Sequence, residues 1–395
     1  MDIRFSPPDI TEAEISAVAD AMRSGWITTG PRTKEFERRI AEFCGTDRAV
    51  CLNSATAGLE LTLRILGVGE GDEVITSAYT YTASASVIAH VGAKIVLCDI
   101  DPKGFELDLD KLAMLINERT KVVIPVDIGG RLCDYEGIFR VIESKKHLFR
   151  AKNALQETFG RVMILADAAH SFGAERKGTK SGNFADFSSF SFHAVKNLTT
   201  AEGGAVTWRS RPGLDNVSLY QKFMLASLHG QSKDALSKTK LGAWEYDIEC
   251  LGHKCNMTDI MAAVGLVQLE RYPSLLRRRQ EIVRRYDNAF QDGFSHLEHF
   301  ESEETSSFHL YLLRPENYQE EDRNRLIEKL AESGIACNVH YKPLPMFTAY
   351  RNIGFRIEDF PNAYSVYRNE LTLPLHTLLT DEQVEYIVEK VRSLV

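Results

Sequence analysis

The stretch Val162-Met163-Ile164-Leu165-Ala166-Asp167-Ala168-Ala169-His170 decides how this chain is read. Its short unbroken apolar run, with no polar alternation, reads as a strand buried on both faces. The run ends in a carboxylate, Asp167, beside the small residues Ala168 and Ala169. A strand buried on both faces belongs in a parallel sheet covered by helices, and in open sheets of that kind ligands bind beyond the carboxyl ends of the strands. Asp167 stands at that edge.

Working outward, strands are expected over Ala49–Leu52, Glu73–Thr76, Lys94–Cys98, Lys121–Pro125, Phe187–Phe192 and Gly204–Thr207. Helical periodicity falls between them, over Lys34–Cys44, a segment ending at Leu66, Thr82–Val91 and Asp110–Ile116. Such alternation predicts an α/β fold with a mostly parallel sheet between helices. Thr11 followed by Glu14 is a capping box opening a helix to Ser24. Beyond residue 250 the pattern changes. A long helix is expected from Thr258 to Phe290, interrupted at Pro273, then short strands (Phe308–Leu313, Ile335–Val339) and helices (Glu321–Ser333, Asp381–Val395). The expected organisation is a large α/β domain over residues 1–250 and a smaller α+β domain over 251–395, with a mobile loop at Gln231–Trp244.

Composition narrows the function. A net charge of −8 argues against a nucleic-acid groove, which needs clustered cations. The basic run Arg277-Arg278-Arg279 sits in a polar helical pattern and reads as a solvated face. No apolar stretch approaches the roughly 20 residues that span a bilayer, and Met1–Asp9 lacks a signal-peptide pattern, so a cytoplasmic protein is expected. An odd cysteine count of 7 without regular spacing suits reduced thiols. Cys250, His253 and Cys255 lack a second pair at zinc spacing, so no metal is expected. Gly67-Val68-Gly69-Glu70-Gly71-Asp72 is not a dinucleotide fingerprint: its sixth position is Asp72, and it precedes a strand rather than following one.

The residues that carry chemistry are Asp167, His170, Ser191 and Lys196, all at or beyond predicted strand ends. A buried carboxylate needs a cationic partner, and a protonated pyridine nitrogen is one; holding that proton is what makes pyridoxal phosphate (PLP) an electron sink. Lys196, flanked by Ala194, Val195 and Leu198, has surroundings that disfavour its charge, as Schiff-base chemistry requires. Ala55 and Thr56 open a helix after a strand, where free backbone N–H groups favour an anion such as a phosphate. Singly, each residue also fits a structural role: Asp167 an N-cap, Tyr81 a core aromatic, Asn256 a helix cap.

The ordered set Asp167-Ala168-Ala169-His170, Ser191-Phe192-His193, Lys196 and Glu202-Gly203-Gly204 resembles the DegT/DnrJ/StrS family of sugar-nucleotide aminotransferases. Further segments agree in order: Gly25-Trp26-Ile27-Thr28-Thr29-Gly30, Asn53-Ser54-Ala55-Thr56-Ala57, Tyr79-Thr80-Tyr81-Thr82-Ala83, Asn256-Met257-Thr258-Asp259 and His340-Tyr341-Lys342-Pro343-Leu344. The resemblance spans nearly the whole chain and implies the fold type I architecture of PLP-dependent transferases. It implies that Lys196 forms the internal aldimine with PLP and that Asp167 pairs with the pyridine nitrogen. By the same resemblance His170, where many relatives carry glutamine, contacts the phenolic oxygen, Tyr81 stacks on the ring, and Ala55, Thr56 and Ser191 hold the phosphate. Asn256 is implied to reach the cofactor of a second copy, making a homodimer with shared active sites, and Trp26, Thr29, His193 and Tyr341 to line the sugar side. The implied reaction moves an amino group from L-glutamate to a nucleotide-linked keto sugar, a UDP- or dTDP-4-keto-6-deoxyhexose. The rival reading is a PLP-binding regulator or sensor of amino-sugar metabolism without turnover.

Overall fold

The computed structural model describes residues 1–232 and 245–395. Most of the loop expected over Gln231–Trp244 therefore lies outside the described residues. Nine strands form in the first half: β1 Ala49–Leu52, β2 Glu73–Ser77, β3 Lys94–Cys98, β4 Thr120–Ile124, β5 Met163–Asp167, β6 Glu175–Arg176, β7 Thr179–Lys180, β8 Phe187–Ser191 and β9 Gly204–Trp208. Seven of them make one sheet in the order β1-β9-β8-β5-β4-β2-β3. Only β9 runs antiparallel to its neighbours; the other pairings are parallel. This is the α/β fold with a mostly parallel sheet that the alternation of strands and helices predicts.

Burial on both faces explains the apolar runs. In β5, Ile164 and Ala166 enter one core with Phe190, Phe192 and Leu269, while Met163 and Leu165 enter the opposite core with Leu59, Phe187 and Trp208. The period-two alternation of a strand sends neighbours to opposite faces, so a strand covered on both sides has no polar face to show.

The helix Ala55–Ile65 is pressed tightly onto the sheet. A Cβ on Gly58 would stand 2.4 Å from Ser189 Oγ, and one on Gly204 would stand 2.4 Å from the Ser54 carbonyl carbon. Two side-chain-free positions thus let a helix N-terminus sit directly against the ends of β8 and β9. The capping box at Thr11 forms as expected, with both the Ala13 amide on the Thr11 hydroxyl and the Thr11 amide on Glu14.

Beyond residue 250, β10 Phe294–His296, β13 Tyr311–Pro315 and β14 Leu371–Leu373 form a three-stranded sheet. The short strands β11 Phe300–Glu301 and β12 Glu304–Thr305 join β6 and β7 instead, tying this half to the first. The helix Asp259–Ala289 packs Leu269, Tyr272 and Leu275 into a core of the large sheet and Ile282, Val283 and Tyr286 into the C-terminal core. Pro273 was expected to interrupt this helix, yet the helix is continuous. Proline removes one i−4 hydrogen bond, and the side chains anchored in core on either side of it hold the helix through that gap. Two strand expectations also change. Phe308 has φ +54°, which ends any strand there and delays pairing to Tyr311. Ile335–Val339 is no strand: Ile335 bridges Ile3 and Asn338 bridges Thr372, each singly. The helices Tyr135–Ser144, Ala154–Phe159 and Asn216–Ser227 went unread in the sequence. No helix of the described residues is long and apolar enough to cross a membrane.

Candidate active site

The carboxyl ends of β5 and β8, the N-terminus of the helix Ala55–Ile65 and two C-terminal segments enclose a cavity of about 360 Å³. It is lined by Ala55, Thr56, Tyr81, Asp167, His170, Ser191, His193, Lys196 and Tyr341, so nine of the residues singled out in the sequence meet in one place. Trp26, Thr29 and Asn256 do not line it. Thr29 and Asn256 meet elsewhere: Asn256 Nδ2 donates to Thr29 Oγ1 at 2.5 Å, and Thr29 donates to the Met257 carbonyl. Asp259 fastens this second cluster by accepting the amides of Gly30, Arg32 and Thr33, which caps the helix Pro31–Cys44 from across the fold.

Asp167 closes β5 and is 5 % exposed. Ser84 donates to its Oδ2 at 2.6 Å and the Ala169 amide to its Oδ1 at 3.2 Å. Burial raises its pKa, while these two bonds and the charge of Lys196 oppose the rise. An ionised carboxylate here still calls for a further positive partner, since an unpaired buried charge is costly.

Lys196 lies on the loop joining β8 to β9, which is closed by the Thr200 amide on the Phe192 carbonyl at 2.8 Å. Its neighbour Asn197 pins the loop: Nδ2 donates to the Ser307 carbonyl at 2.6 Å and Oδ1 pairs with His309 Nδ1 at 2.9 Å. Desolvation lowers the Lys196 pKa to about 8, partly restored by Asp167. The amine therefore gives up its proton to become nucleophilic far more readily than an ordinary lysine.

His170 is buried and neutral, its pKa held well below the usual range by burial and by the cationic Lys196. The Gly129 amide donates to Nδ1 at 3.3 Å, so the ring proton resides on Nε2 and is donated to the Tyr341 hydroxyl at 3.0 Å. That leaves the phenolic proton of Tyr341 free to donate. Tyr81 is 60 % exposed with its ring 6.1 Å from that of Tyr341, a flat apolar surface open at the cavity. At the opposite pole, Ser54 caps the helix by accepting the Ala57 amide at 3.1 Å, which leaves the first-turn amides of Ala55 and Thr56 without an i−4 acceptor. A carboxylate with no full partner, a lysine of lowered basicity, an open aromatic face and a bare helix N-terminus suit a phosphorylated pyridine aldehyde.

The model of the DegT/DnrJ/EryC1/StrS aminotransferase family matches residues 8–392. The chain belongs to this family. The aminotransferase is 54 % identical to Spr1654 from Streptococcus pneumoniae, named for sugar aminotransferase activity and solved in its PLP form; the TM-score is 0.97, with 100 % of this chain and 98 % of that chain covered. The same relative has also been solved in its PMP form. SpsC of Bacillus subtilis, a spore coat polysaccharide biosynthesis protein, is 37 % identical over 99 % of this chain and 96 % of its own. The UDP-4-amino-4-deoxy-L-arabinose–oxoglutarate aminotransferase of Shewanella sediminis is 33 % identical over 98 % of this chain and 97 % of its own. The aminotransferase is thus a PLP-dependent enzyme acting on a sugar.

Sequence reading missed several residues of this site. Phe5 and Ser6 line the cavity from the N-terminal segment, where Ser6 donates to the Val195 carbonyl at 3.1 Å. His309 lines it from the C-terminal half, as does His340, which the sequence singled out only as part of a longer segment. Ser84 was indistinguishable from any helical serine until β5 brought Asp167 beside it.

Proposed function

We propose that this sugar aminotransferase transfers the amino group of L-glutamate to a keto sugar carried on a nucleoside diphosphate, with Lys196 and Asp167 as its working pair. The observation that carries the reading is that both side chains, reaching in from different strand ends, line one cavity. Burial raises the pKa of Asp167 against the bonds from Ser84 and the Ala169 amide, and lowers that of Lys196, so the carboxylate has an unmet need for a cationic partner and the amine gives up its proton more readily.

Bound PLP would supply an electron sink beside the carbon that carries the amino group. Asp167, held by Ser84 and the Ala169 amide, would keep a proton on the pyridine nitrogen. The Ala55 and Thr56 amides with the Ser191 hydroxyl would bind the phosphate, and Tyr81 would cover one face of the ring. Lys196, with its pKa lowered to about 8, is suited to take the proton from the donor's α-carbon and return it, the acid–base work at carbon in both halves of the reaction. Tyr341, its oxygen occupied by His170, presents a hydroxyl proton to the incoming substrate.

The Shewanella relative's name contains both a UDP sugar and oxoglutarate, the keto acid left by glutamate, which supports the choice of donor and carrier. The likeness to a relative solved in PLP and PMP forms supports turnover over a sensor role, because those forms are the two ends of an amino-group relay. Among acceptors we favour UDP- or dTDP-4-keto-6-deoxyhexoses. We further infer a homodimer in which Asn256 reaches the second copy's cofactor. This reading is supported by the absence of the bonded pair Thr29 and Asn256 from the cavity lining of its own chain.

The test is to incubate PLP-loaded protein with L-glutamate and follow the visible band, then add nucleotide-linked keto sugars and read products by mass spectrometry. Glutamate bleaches the band, and one sugar gains an amine while the band returns. A band indifferent to glutamate would sink the proposal. Asn256→Ala should weaken PLP retention; unchanged retention removes Asn256 from its shared-site role.

A further inference from the structure

His340 is held more firmly than a substrate-lining histidine needs. Its amide donates to Glu370 Oε2 at 2.9 Å, its carbonyl accepts from the Tyr79 hydroxyl at 2.6 Å, and Phe5 stacks on its ring at 5.6 Å and 19°. Its Nδ1 lies 2.9 Å from Thr372 Oγ1, which in turn lies 2.6 Å from Glu370 Oε1. Glu370 and Thr372 are 0 % exposed. The Nε2 atom bonds to nothing among the described residues, and His340 lines the cavity. One continuous hydrogen-bonded line therefore runs from the cavity wall to a carboxyl group sealed from solvent.

We propose that His340, Thr372 and Glu370 form a proton relay that gives the cavity a second acid–base group, distinct from Lys196. With Glu370 ionised, Thr372 donates to it and accepts from His340 Nδ1–H, so Nε2 offers a lone pair to the cavity. With Glu370 protonated, every bond reverses: the carboxyl donates to Thr372, Thr372 donates to Nδ1, and Nε2 carries the proton. One proton arriving at Nε2 displaces that on Nδ1 to Thr372, whose own moves to Glu370; nothing is oxidised or reduced. The imidazole stays neutral throughout, consistent with a pKa pushed down to about 3 by burial and by Lys196.

Both states are accessible to Glu370. Burial raises its pKa to about 8, against the bonds from Thr372 and the His340 amide and the charges of Arg323 and Arg314. Tyr79, Tyr341 and Cys337 also face it and are neutral, their ionisation suppressed by burial. Arg323 spends one guanidinium nitrogen on the Tyr367 and Glu370 carbonyls rather than on the carboxylate. The chemistry that needs such a group is departure of the keto sugar's oxygen as water: that oxygen must gain a proton as its bond to carbon breaks, and Nε2–H supplies it, leaving Glu370 ionised. Lys196 then keeps the proton transfers at carbon in both halves and need not also protonate the departing oxygen. The inference rests on the cavity being the reaction site, but its principal measurement does not require the sugar to be known.

The experiment records the ring nitrogen shifts of His340 in the PLP-loaded full chain, labelled with 15N-histidine and assigned with His340→Gln, from about pH 6 to 10. The expected result is a change of tautomer from Nε2–H to Nδ1–H with its midpoint near the Glu370 value of about 8, absent in Glu370→Gln. A single tautomer across the range, or a change that survives in Glu370→Gln, overturns the relay. In turnover, Thr372→Val should slow the acceptor half-reaction about 100-fold while sparing the glutamate half-reaction, the scale of a general acid–base contribution, and Thr372→Ser should restore it. Equal loss in both halves, unrescued by serine, would reduce Thr372 to packing and overturn the proposal.

Discussion

Replacing Ser84 by alanine isolates the hydrogen bond that keeps Asp167 ionised. Ser84 donates to Asp167 Oδ2 at 2.6 Å in a buried setting, so alanine leaves that oxygen without its protein donor. A hydrogen bond to a charged group contributes about 1.5–3 kcal/mol. Because it favours only the ionised form, at about 1.36 kcal/mol per pH unit its loss raises the Asp167 pKa by roughly 1–2 units. Burial already holds that pKa above the ordinary carboxylate range, so the variant moves further in the same direction. The working form is the ionised one, present above the pKa and lost as pH falls through it. The acid limb of kcat/KM for the glutamate half-reaction should therefore shift to higher pH by about 1–2 units while the plateau is kept. Stopped-flow bleaching of the visible band across pH measures this. A limb that stays in place, or a plateau that drops equally at every pH, would refute the assigned role of Ser84 and weaken that of Asp167.

Lys196→Ala should abolish turnover and the covalent attachment of PLP; hydride reduction followed by peptide mass analysis of the native protein should put the cofactor's mass on the peptide containing Lys196, and a label elsewhere contradicts the assignment. Asn197→Ala strands His309 Nδ1 and the Ser307 carbonyl, both buried; a loss of about 1–3 kcal/mol should appear as a lower melting temperature and looser PLP retention. Phe5→Ala removes the ring stacked on His340, and with aromatic pairs contributing about 0.5–1.5 kcal/mol it should raise KM for the sugar about 2- to 10-fold while leaving the glutamate half-reaction unchanged, which steady-state kinetics resolves. Gly204→Ala forces a Cβ against the backbone of Ser54 and Ala55 and should weaken PLP binding, checked by fluorescence titration of the apo protein.

The strands of the large sheet around Val162–Asp167 were legible because a strand covered on both faces must be apolar throughout, and that pattern is local; the helices Tyr135–Ser144 and Ala154–Phe159 beside them were not. Asp167, Lys196, Ala55 and Thr56 were legible for a related reason: they stand at strand ends and a helix start, where the fold exposes chemistry whatever the long-range packing. The continuous helix through Pro273 was not legible, because its survival depends on two cores that lie far apart in sequence. Nor was the displaced strand at Tyr311, set by the left-handed conformation of Phe308. The Ser84–Asp167 bond joins residues 83 positions apart and the Asn197–His309 bond residues 112 apart; the contact between Phe5 and His340 is longer still. By itself the sequence singled out the groups proposed to do the chemistry and the edge of the sheet at which nine of them meet. Tertiary structure alone decided their protonation and orientation, because those depend on how far water is excluded and on which distant hydroxyls, amides and rings fill the space it leaves.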